Sequence, residues 1–184
     1  MARLAVAART AAVVAGAAVL ALGPARGAPA SGPRTPPCSA AQLAVLFVDS
    51  SGAAGSVDAE YGFRNRSGRT CVLRGFPRVQ MLTRSGAALS TTETHAPGAY
   101  GIMTRLVTLA PAKVGYFGVH YPAATGYGSL HCPTSAALRV TAPGDGAGHV
   151  LRGRGGRIQP YGGSIPHLHC GTVHVSAVSA RRFQ

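Results

Sequence analysis

The sequence predicts an all-β protein, a single immunoglobulin-like antiparallel β-sandwich held by two disulfides and preceded by a signal peptide. Three observations predict this fold. Eight or more short strand-like segments recur with turn residues between them, and beyond the N-terminal stretch no helical period persists for three turns. Four cysteines are spread along the chain, and 184 residues leave room for one domain of ordinary size.

The N-terminus has the composition of a secretory signal peptide. Two arginines precede an apolar segment at 11–22, which is too short to span a bilayer, and Ala28-Pro29-Ala30 offers a small-x-small cleavage site. Because the first cysteine, Cys38, lies well beyond the apolar segment, we expect no lipid anchor. Since cleavage would remove the apolar segment, we also expect no transmembrane anchor after cleavage. We expect a signal peptide over 1–30, a Pro-rich lead over 31–37 and a β-sandwich domain over 38–180.

The first strands are predicted from apolar runs and alternation. Residues 42–49 form a short apolar run that contains Val and Phe and ends at a Ser-Ser-Gly turn. In 56–65, apolar residues alternate with polar residues or glycine, so one face should be buried and the other should contact water. Asn65 to Arg69 supplies turn residues, and the chain re-enters a strand at 70–73.

A corner follows at Gly75-Phe76-Pro77. Proline cannot donate to a strand ladder, so Pro77 should lie at a strand's first position or at an edge. It leads into a strand around 79–81, a turn at 84–86, and a strand at 87–92 that we expect to complete a hairpin. The stretch 93–101 is predicted to be a loop.

The second half of the chain continues the pattern of short strands and turns. Pro143-Gly144-Asp145-Gly146 is a strong turn signal between two of these strands. Loops are expected at 122–129 and 161–163, and Ile158 is predicted to continue a weak strand. The strands predicted in this half are 105–109, 113–121, 137–140, 149–151 and 172–178.

Four cysteines in an exported chain favour two disulfides over a zinc site, because the compartment oxidises thiols and no C-x-x-C pair is present. Three connectivities are possible. We prefer Cys38–Cys71 with Cys132–Cys170, since each bridge then closes a loop within one half of the chain. On the chain-entropy model each bridge contributes roughly 3–4 kcal/mol.

The motif order resembles a known family. A first Cys precedes a strand, followed by N-x-S-G-x-T-C-x-L-x-G-F-P, an L-x-P ahead of an aromatic strand, a Cys-Pro, and a last Cys at the final strand. This resembles a family of secreted proteins from high-GC Gram-positive bacteria, catalogued as domain of unknown function 4232, over about residues 38–178. The resemblance implies a fold and a compartment but no reaction. The matching residues are Cys38, Asn65, Cys71, Leu73, Gly75, Phe76, Pro77, Leu109, Pro111, Cys132, Pro133 and Cys170.

The mature chain is predicted to be strongly basic. Of the 18 Lys and Arg residues, Arg3, Arg9 and Arg26 lie in the predicted signal peptide, so 15 remain against 5 acidic residues, a net charge of +10. Outside the cell this charge favours contact with anionic wall polymers through an attraction that salt screens. No specific nucleic-acid reader is predicted, because Trp is absent and no recognisable module accompanies the basic residues.

The densest basic segment is a candidate polyanion contact, since arginine side chains can clamp phosphates or sulfates. Its members are Arg152, Arg154 and Arg157. The alternative interpretation is a solvated, Gly-rich connection between strands. The segment lacks the strand and helix that flank a dinucleotide-binding motif.

A cluster of histidines suggests an alternative function. Three of them surround the last cysteine, and a bridge from Cys132 to Cys170 would bring a fourth close by. Imidazoles in such a group could bind zinc or copper. No carboxylates lie nearby in the sequence, and the favoured interpretation is that these are surface or loop histidines without a metal. The candidate ligands are His131, His167, His169 and His174.

Catalysis is not predicted, and no cofactor is expected. Gly162-Gly163-Ser164-Ile165-Pro166 has Pro where a nucleophile elbow needs its second Gly. Asp58 and Glu60 are predicted on the solvent face of one strand rather than across a cleft.

The leading hypothesis is a secreted, non-catalytic binding or interaction module of the cell envelope or extracellular space. We expect a monomer whose partner is an anionic wall polymer or another extracellular protein; the alternative is a small extracellular metal-binding protein.

Overall fold

The structure is a computed structural model that describes residues 34–53, 56–95, 103–122, 135–152, 157–158, 163–164 and 172–183. These residues form an all-β domain with one turn of 3-10 helix at Ala40–Gln42. In the described part of the chain, no helix is long and apolar enough to cross a membrane. The strands are β1 Leu43–Ala53, β2 Ser56–Asn65, β3 Cys71–Leu73, β4 Arg78–Leu82, β5 Thr92–Thr94, β6 Val107–Leu109, β7 Val114–Pro122, β8 Ala137–Thr141, β9 Gly148–Arg152, β10 Arg157–Ile158, β11 Gly163–Ser164 and β12 Thr172–Val175.

Four sheets contain these strands. The largest has the order β1-β2-β7-β12-β5, the second has the order β4-β8-β9, and β3-β6 and β10-β11 form two-stranded sheets. The strand pairs are antiparallel except that β5 and β12 run parallel, which corrects the expectation of a purely antiparallel fold. A hairpin forces antiparallel pairing, whereas a strand that reaches the edge after a long connection can run either way.

The hairpin of β1 and β2 is the longest element of the fold. Leu43 pairs with Asn65 and Ala53 pairs with Ser56, with a register shift between Phe47 and Asp49. The polar Ser-Ser-Gly segment was expected to end β1 at residue 49. Instead it continues the ladder, because the start of β2 supplies backbone partners for it.

The hydrophobic core draws on the three sheets other than β10-β11. Tyr61 and Phe63 of β2 stack on Phe117 of β7, with ring centroids 5.5 and 5.0 Å apart. The core face predicted for β2 is confirmed at Ala59, Tyr61 and Phe63, which are all buried. The predicted solvent face is only partly exposed, since Glu60 and Gly62 are buried as well. Leu73, Val79, Met81, Leu109, Leu138, Val140, Val173 and Val175 belong to the same core cluster.

The hairpin predicted at 79–92 forms only at its turn. Leu82 and Ala88 make an isolated bridge, and the Leu89 backbone NH donates to the Met81 carbonyl at 2.9 Å. The chain then leaves β4, and the Gln80 side-chain amide donates to the Leu89 carbonyl at 2.7 Å. This side-chain bond replaces a strand ladder. The strand forms later, at β5, which begins at the last residue of the predicted strand, Thr92, and continues into the stretch predicted as a loop.

The predicted bridge between Cys38 and Cys71 is present and joins the start of the domain to β3. Backbone bonds reinforce it, since the Cys38 NH donates to the Val72 carbonyl at 2.9 Å and the Val72 NH donates to the Pro36 carbonyl at 3.0 Å. Cys132 and Cys170, the predicted second bridge, lie outside the described residues.

Candidate functional site

A row of polar side chains crosses the largest sheet. In the register of that sheet Asp58 of β2 lies opposite His120 of β7, His120 lies opposite His174 of β12, and His174 lies opposite Thr94 of β5. The neighbours of these residues on β7 and β12, such as Val119 and Val175, are buried in the core. Because side chains alternate along a strand, the row lies on the face of the sheet away from the core.

Hydrogen bonds connect this row at both ends. The Nδ1 atom of His120 lies 2.8 Å from Oδ1 of Asp58, and the Nδ1 atom of His174 lies 2.7 Å from Oγ1 of Thr94. The two imidazole rings face each other with centroids 5.8 Å apart and planes tilted by 48°. The side chain of His120 is 30% exposed and that of Asp58 is 46% exposed, so the row is open to solvent.

In this arrangement each of the two neighbouring imidazole rings is oriented by a hydrogen bond at its Nδ1 atom. A carboxylate that accepts from Nδ1–H leaves Nε2 as the nitrogen with the lone pair in the neutral ring. Such nitrogens can bind a metal ion or donate and accept protons. We call Asp58, His120, His174 and Thr94 the polar row.

Only one of the predicted metal ligands belongs to the polar row. His174 is in it, whereas His131, His167 and His169 lie outside the described residues. Among the residues that the structure describes, no group of three or more His, Cys, Asp or Glu side chains is arranged to hold a metal ion. The four-histidine site therefore stays a prediction.

Sequence reasoning missed His120 as a partner of His174. The two residues are far apart in the chain. His120 is flanked by Val119 and Tyr121, so the sequence indicates only that it belongs to an aromatic strand. The signal that could have found it is alternation, which places His120 on the solvent face of its strand. The pairing itself depends on the register between β7 and β12, which the sequence does not specify.

The backbone brings four basic residues to the end of β2. The NH of Asn65 donates to the Lys113 carbonyl at 3.0 Å, and Nδ2 of Asn65 donates to the Arg69 carbonyl at 2.7 Å, so the turn after β2 lies beside the start of β7. Every basic side chain of this region is exposed. We call Arg64, Arg66, Arg69 and Lys113 the basic end.

Asn65 builds the turn that carries the basic end. It is fully buried, and Nδ2 also donates to the Leu109 carbonyl at 2.9 Å. Its Oδ1 accepts from the Ser67 backbone NH at 2.9 Å and from the Ser67 hydroxyl at 2.7 Å. Since both donors and both acceptor positions of the amide are used, Asn65 has a structural role, and the prediction of a turn at 65–69 is confirmed.

The acidic side chains are all engaged within the domain. The chain has five carboxylates, and each accepts a hydrogen bond from a described residue. Two of them, Asp49 and Glu60, share Arg182 of the C-terminal segment. The full set is Asp49 with Arg182, Asp58 with His120, Glu60 with Arg182 and the Phe183 NH, Glu93 with His95 and the Val79 NH, and Asp145 with the NH groups of Ala40 and Ala147.

Two of these contacts shift a pKa. Hydrogen bonds from the backbone NH groups of Ala147 and Ala40 lower the pKa of the Asp145 carboxyl. The hydrogen bond and charge of Glu60 raise the pKa of the Arg182 guanidinium. Asp145 thereby connects the turn between β8 and β9 to the start of the domain, and it lies in the turn that was predicted at 143–146.

Most of the basic side chains, unlike the carboxylates, have no partner of opposite charge within the described part of the domain. Every Arg and Lys side chain that the structure describes is exposed, and among these Arg182 alone forms an ion pair with a carboxylate. Of the predicted polyanion contact, Arg152 is exposed at the end of β9, with Nη1 3.5 Å from the Arg84 carbonyl. Arg154 lies outside the described residues, and Arg157 is described only by its backbone in β10.

These features define a disulfide-bonded, all-β domain with a basic surface and a polar row on one sheet. The family model described as "Domain of unknown function (DUF4232)" matches residues 38–179, and the chain belongs to this family. The match begins at the bridged Cys38 and ends at Ser179, which bridges to Tyr116 of β7. No curated protein and no solved structure matches the chain.

Proposed function

We propose that the protein is a secreted, non-catalytic binding module of the cell envelope that holds anionic wall polymers at its basic end. The observation that carries this proposal is the division of charges. All five carboxylates are occupied by partners within the domain, whereas the exposed basic side chains that the structure describes, apart from Arg182, have no carboxylate partner. The positive charge is therefore available to an external polyanion.

The basic end favours binding because its backbone is fixed. Asn65 ties the turn to the Arg69 and Leu109 carbonyls, and the bridge between Cys38 and Cys71 anchors the following strand. A fixed backbone lowers the entropy that is lost when charged side chains order on a ligand. Three arginines and one lysine on such a frame suit repeating phosphate or carboxylate groups, which arginine binds in bidentate fashion.

The proposal also includes secretion and an immunoglobulin-like sandwich fold. A disulfide suits an oxidising environment outside the cytosol, and the predicted signal peptide over 1–30 would deliver the chain there. We propose that the largest sheet packs on the β4-β8-β9 and β3-β6 strands as an immunoglobulin-like sandwich, since one core cluster draws on all three. A second bridge, Cys132–Cys170, would close the C-terminal half.

Sedimentation with purified cell wall tests the proposal. The full chain should sediment with intact walls at low salt and remain in solution when the walls have been stripped of their anionic polymers. Replacing Arg66, Arg69 and Lys113 with Gln should reduce the sedimented fraction severalfold. These substitutions lie on exposed side chains and should leave the thermal midpoint within a few degrees of the wild type.

A matched control removes the same charge elsewhere. Replacing Arg152, Arg154 and Arg157 with Gln also removes three positive charges and tests the contact predicted from the sequence. We expect a smaller loss than at the basic end. If both triple variants lose binding equally, only net charge matters and the basic end is not a site. If stripped walls bind as well as intact walls, the proposed ligand is wrong.

A further inference from the structure

We propose that His120 and His174 form a metal site on the outer face of the largest sheet, and that Asp58 and Thr94 position the two rings. The ion would be divalent copper or zinc, bound through Nε2 of each histidine, with water in the remaining positions. The site uses no residue of the basic end and is independent of polyanion binding.

The backbone places the two imidazoles side by side. His120 of β7 and His174 of β12 are cross-strand partners in an antiparallel ladder, which brings their Cβ atoms to about 5 Å. Both strands are central in the five-stranded sheet, with β2 on one side and β5 on the other. Core residues on the opposite face, including Val119, Val173 and Val175, hold the two strands in register.

The outer residues of the polar row orient both rings. Asp58 lies on the β2 side of His120 and binds its Nδ1, and Thr94 lies on the β5 side of His174 and binds its Nδ1. Each Nδ1 thus points away from the other ring. Because Nδ1 and Nε2 bind their partners on different sides of an imidazole, we infer that the two Nε2 atoms lean towards the space between the rings.

The hydrogen bonds also select the tautomer that a metal needs. The Asp58 carboxylate accepts only, so Nδ1 of His120 carries the proton in the neutral ring and Nε2 has the lone pair. Oγ1 of Thr94 lies 3.4 Å from the Val173 carbonyl, to which it donates, and it can therefore accept from Nδ1–H of His174. Metal-binding histidines commonly donate their second nitrogen to a carboxylate or another acceptor in this way.

The spacing of the rings fits one shared ion. Two imidazoles that each bind a tetrahedral ion at about 2.0 Å have ring centroids about 5 Å apart. The observed separation is 5.8 Å, so a small rotation of either ring completes the geometry. Imidazole ligands suit copper and zinc, and the single nearby carboxylate, that of Asp58, would compensate part of the ion's charge.

Titration of the full chain with Cu²⁺ or Zn²⁺ alone, followed by calorimetry, tests the site. We expect one ion per chain for the wild type, and a loss of at least about tenfold in affinity for His120→Ala and for His174→Ala. Asp58→Asn keeps both ligands but weakens the orientation of His120, so it should cost about tenfold. The electron paramagnetic resonance spectrum of the Cu²⁺ complex should show two equivalent nitrogen ligands.

Two controls separate this site from the other histidines. His95→Ala removes an exposed histidine that lies beyond the polar row and stacks on Phe76, and it should leave the affinity unchanged. The triple variant His131→Ala, His167→Ala and His169→Ala removes the other ligands that the sequence predicted. Retention of wild-type affinity in folded His120→Ala, checked by its circular dichroism spectrum, would overturn the proposal, as would the absence of any binding by the wild type. Loss of affinity in His120→Ala together with wild-type affinity in the triple variant supports the proposal.

Discussion

Asn65 shows how a residue typical of turns can have a long-range structural role. Its position at the end of an alternating strand predicts a turn, and that prediction is local. Its contact with the Leu109 carbonyl joins residues 44 positions apart in the chain. No sequence pattern specifies that contact, because it depends on how β2, β3 and β6 assemble, so the burial of Asn65 could not be predicted.

Replacing Asn65 with Ala should destabilise the domain by about 2–3 kcal/mol, because the Leu109 carbonyl loses a partner at a buried position and the partly buried bonds to the Arg69 carbonyl and the Ser67 NH are lost as well. Chemical denaturation of the oxidised protein measures this difference. Ser90→Ala, at an exposed residue, serves as a control and should change the free energy of unfolding by less than about 0.5 kcal/mol. If Asn65→Ala is as stable as the wild type, the hydrogen bonds of the Asn65 amide do not stabilise the domain.

Asp145 should make the stability of the domain depend on pH in the acidic range. Its pKa is lower in the folded state than in the unfolded state, where a carboxyl titrates near about 4. The stabilisation is therefore complete above that pH and is lost as the pH falls through the folded pKa. Asp145→Asn should lower the thermal midpoint at pH 7, and its difference from the wild type should shrink as the pH falls below about 4. A difference that stays constant from pH 7 to pH 2 would contradict this assignment.

At the scale of elements, apolar patterns predicted the strands that line the core. The strands β1, β2, β7, β8 and β12 all contain buried Val, Leu or aromatic residues and were expected near their observed places. Of the strand β5, Thr92 ended a predicted strand, whereas Glu93 and Thr94 were predicted as part of a loop, since the segment has no apolar pattern. It is an edge strand held by its parallel pairing with β12, a contact between distant parts of the chain.

The C-terminal segment crosses the outer face of the same sheet. Ser179 bridges to Tyr116 of β7, and beyond it Arg182 and the Phe183 NH bind Glu60 of β2 at 2.9 and 2.8 Å. Glu60 was predicted on a solvent face by the alternation of β2. It is instead 7% exposed, because this segment covers it. Alternation gives the face of a strand but not what covers that face.

Arg182→Ala should lower the thermal midpoint by a few degrees, since it leaves the Glu60 carboxylate with fewer partners at a buried position. Arg181→Ala is the matched control, because the neighbouring arginine is exposed and has no carboxylate partner among the described residues. It should leave the midpoint unchanged. Equal effects of the two substitutions would mean that the segment acts through its charge and not through the contact with Glu60.

At the scale of the whole molecule, the sequence predicted the all-β class and one of the two disulfides better than it predicted site geometry. The basic balance of charge and the Cys38–Cys71 bridge follow from residue counts and spacing. The polar row could not be predicted, because it combines residues from four strands that meet only through sheet register. Three of the histidines that the sequence grouped are neighbours in the chain, and His131 joined them only through the predicted second bridge. The partner of His174 in the structure is instead His120.

The division of charges is a property of the whole surface. Five carboxylates are used in internal contacts that fix the turns, the C-terminal segment and the polar row. The basic side chains instead point outward, and a cluster of them lies on the turn fixed by Asn65. This division favours an external anionic partner and makes the interaction sensitive to ionic strength.

The salt dependence of binding to purified cell wall is the most direct test of the central claim. The bound fraction of the full chain should fall steeply as salt increases from about 0.05 to about 0.5 M, since charges at an exposed contact are screened over that range. The variant with Gln at residues 66, 69 and 113 should bind less and show a shallower dependence. Binding that does not change with salt, or a slope equal to that of the wild type in this variant, would contradict the account.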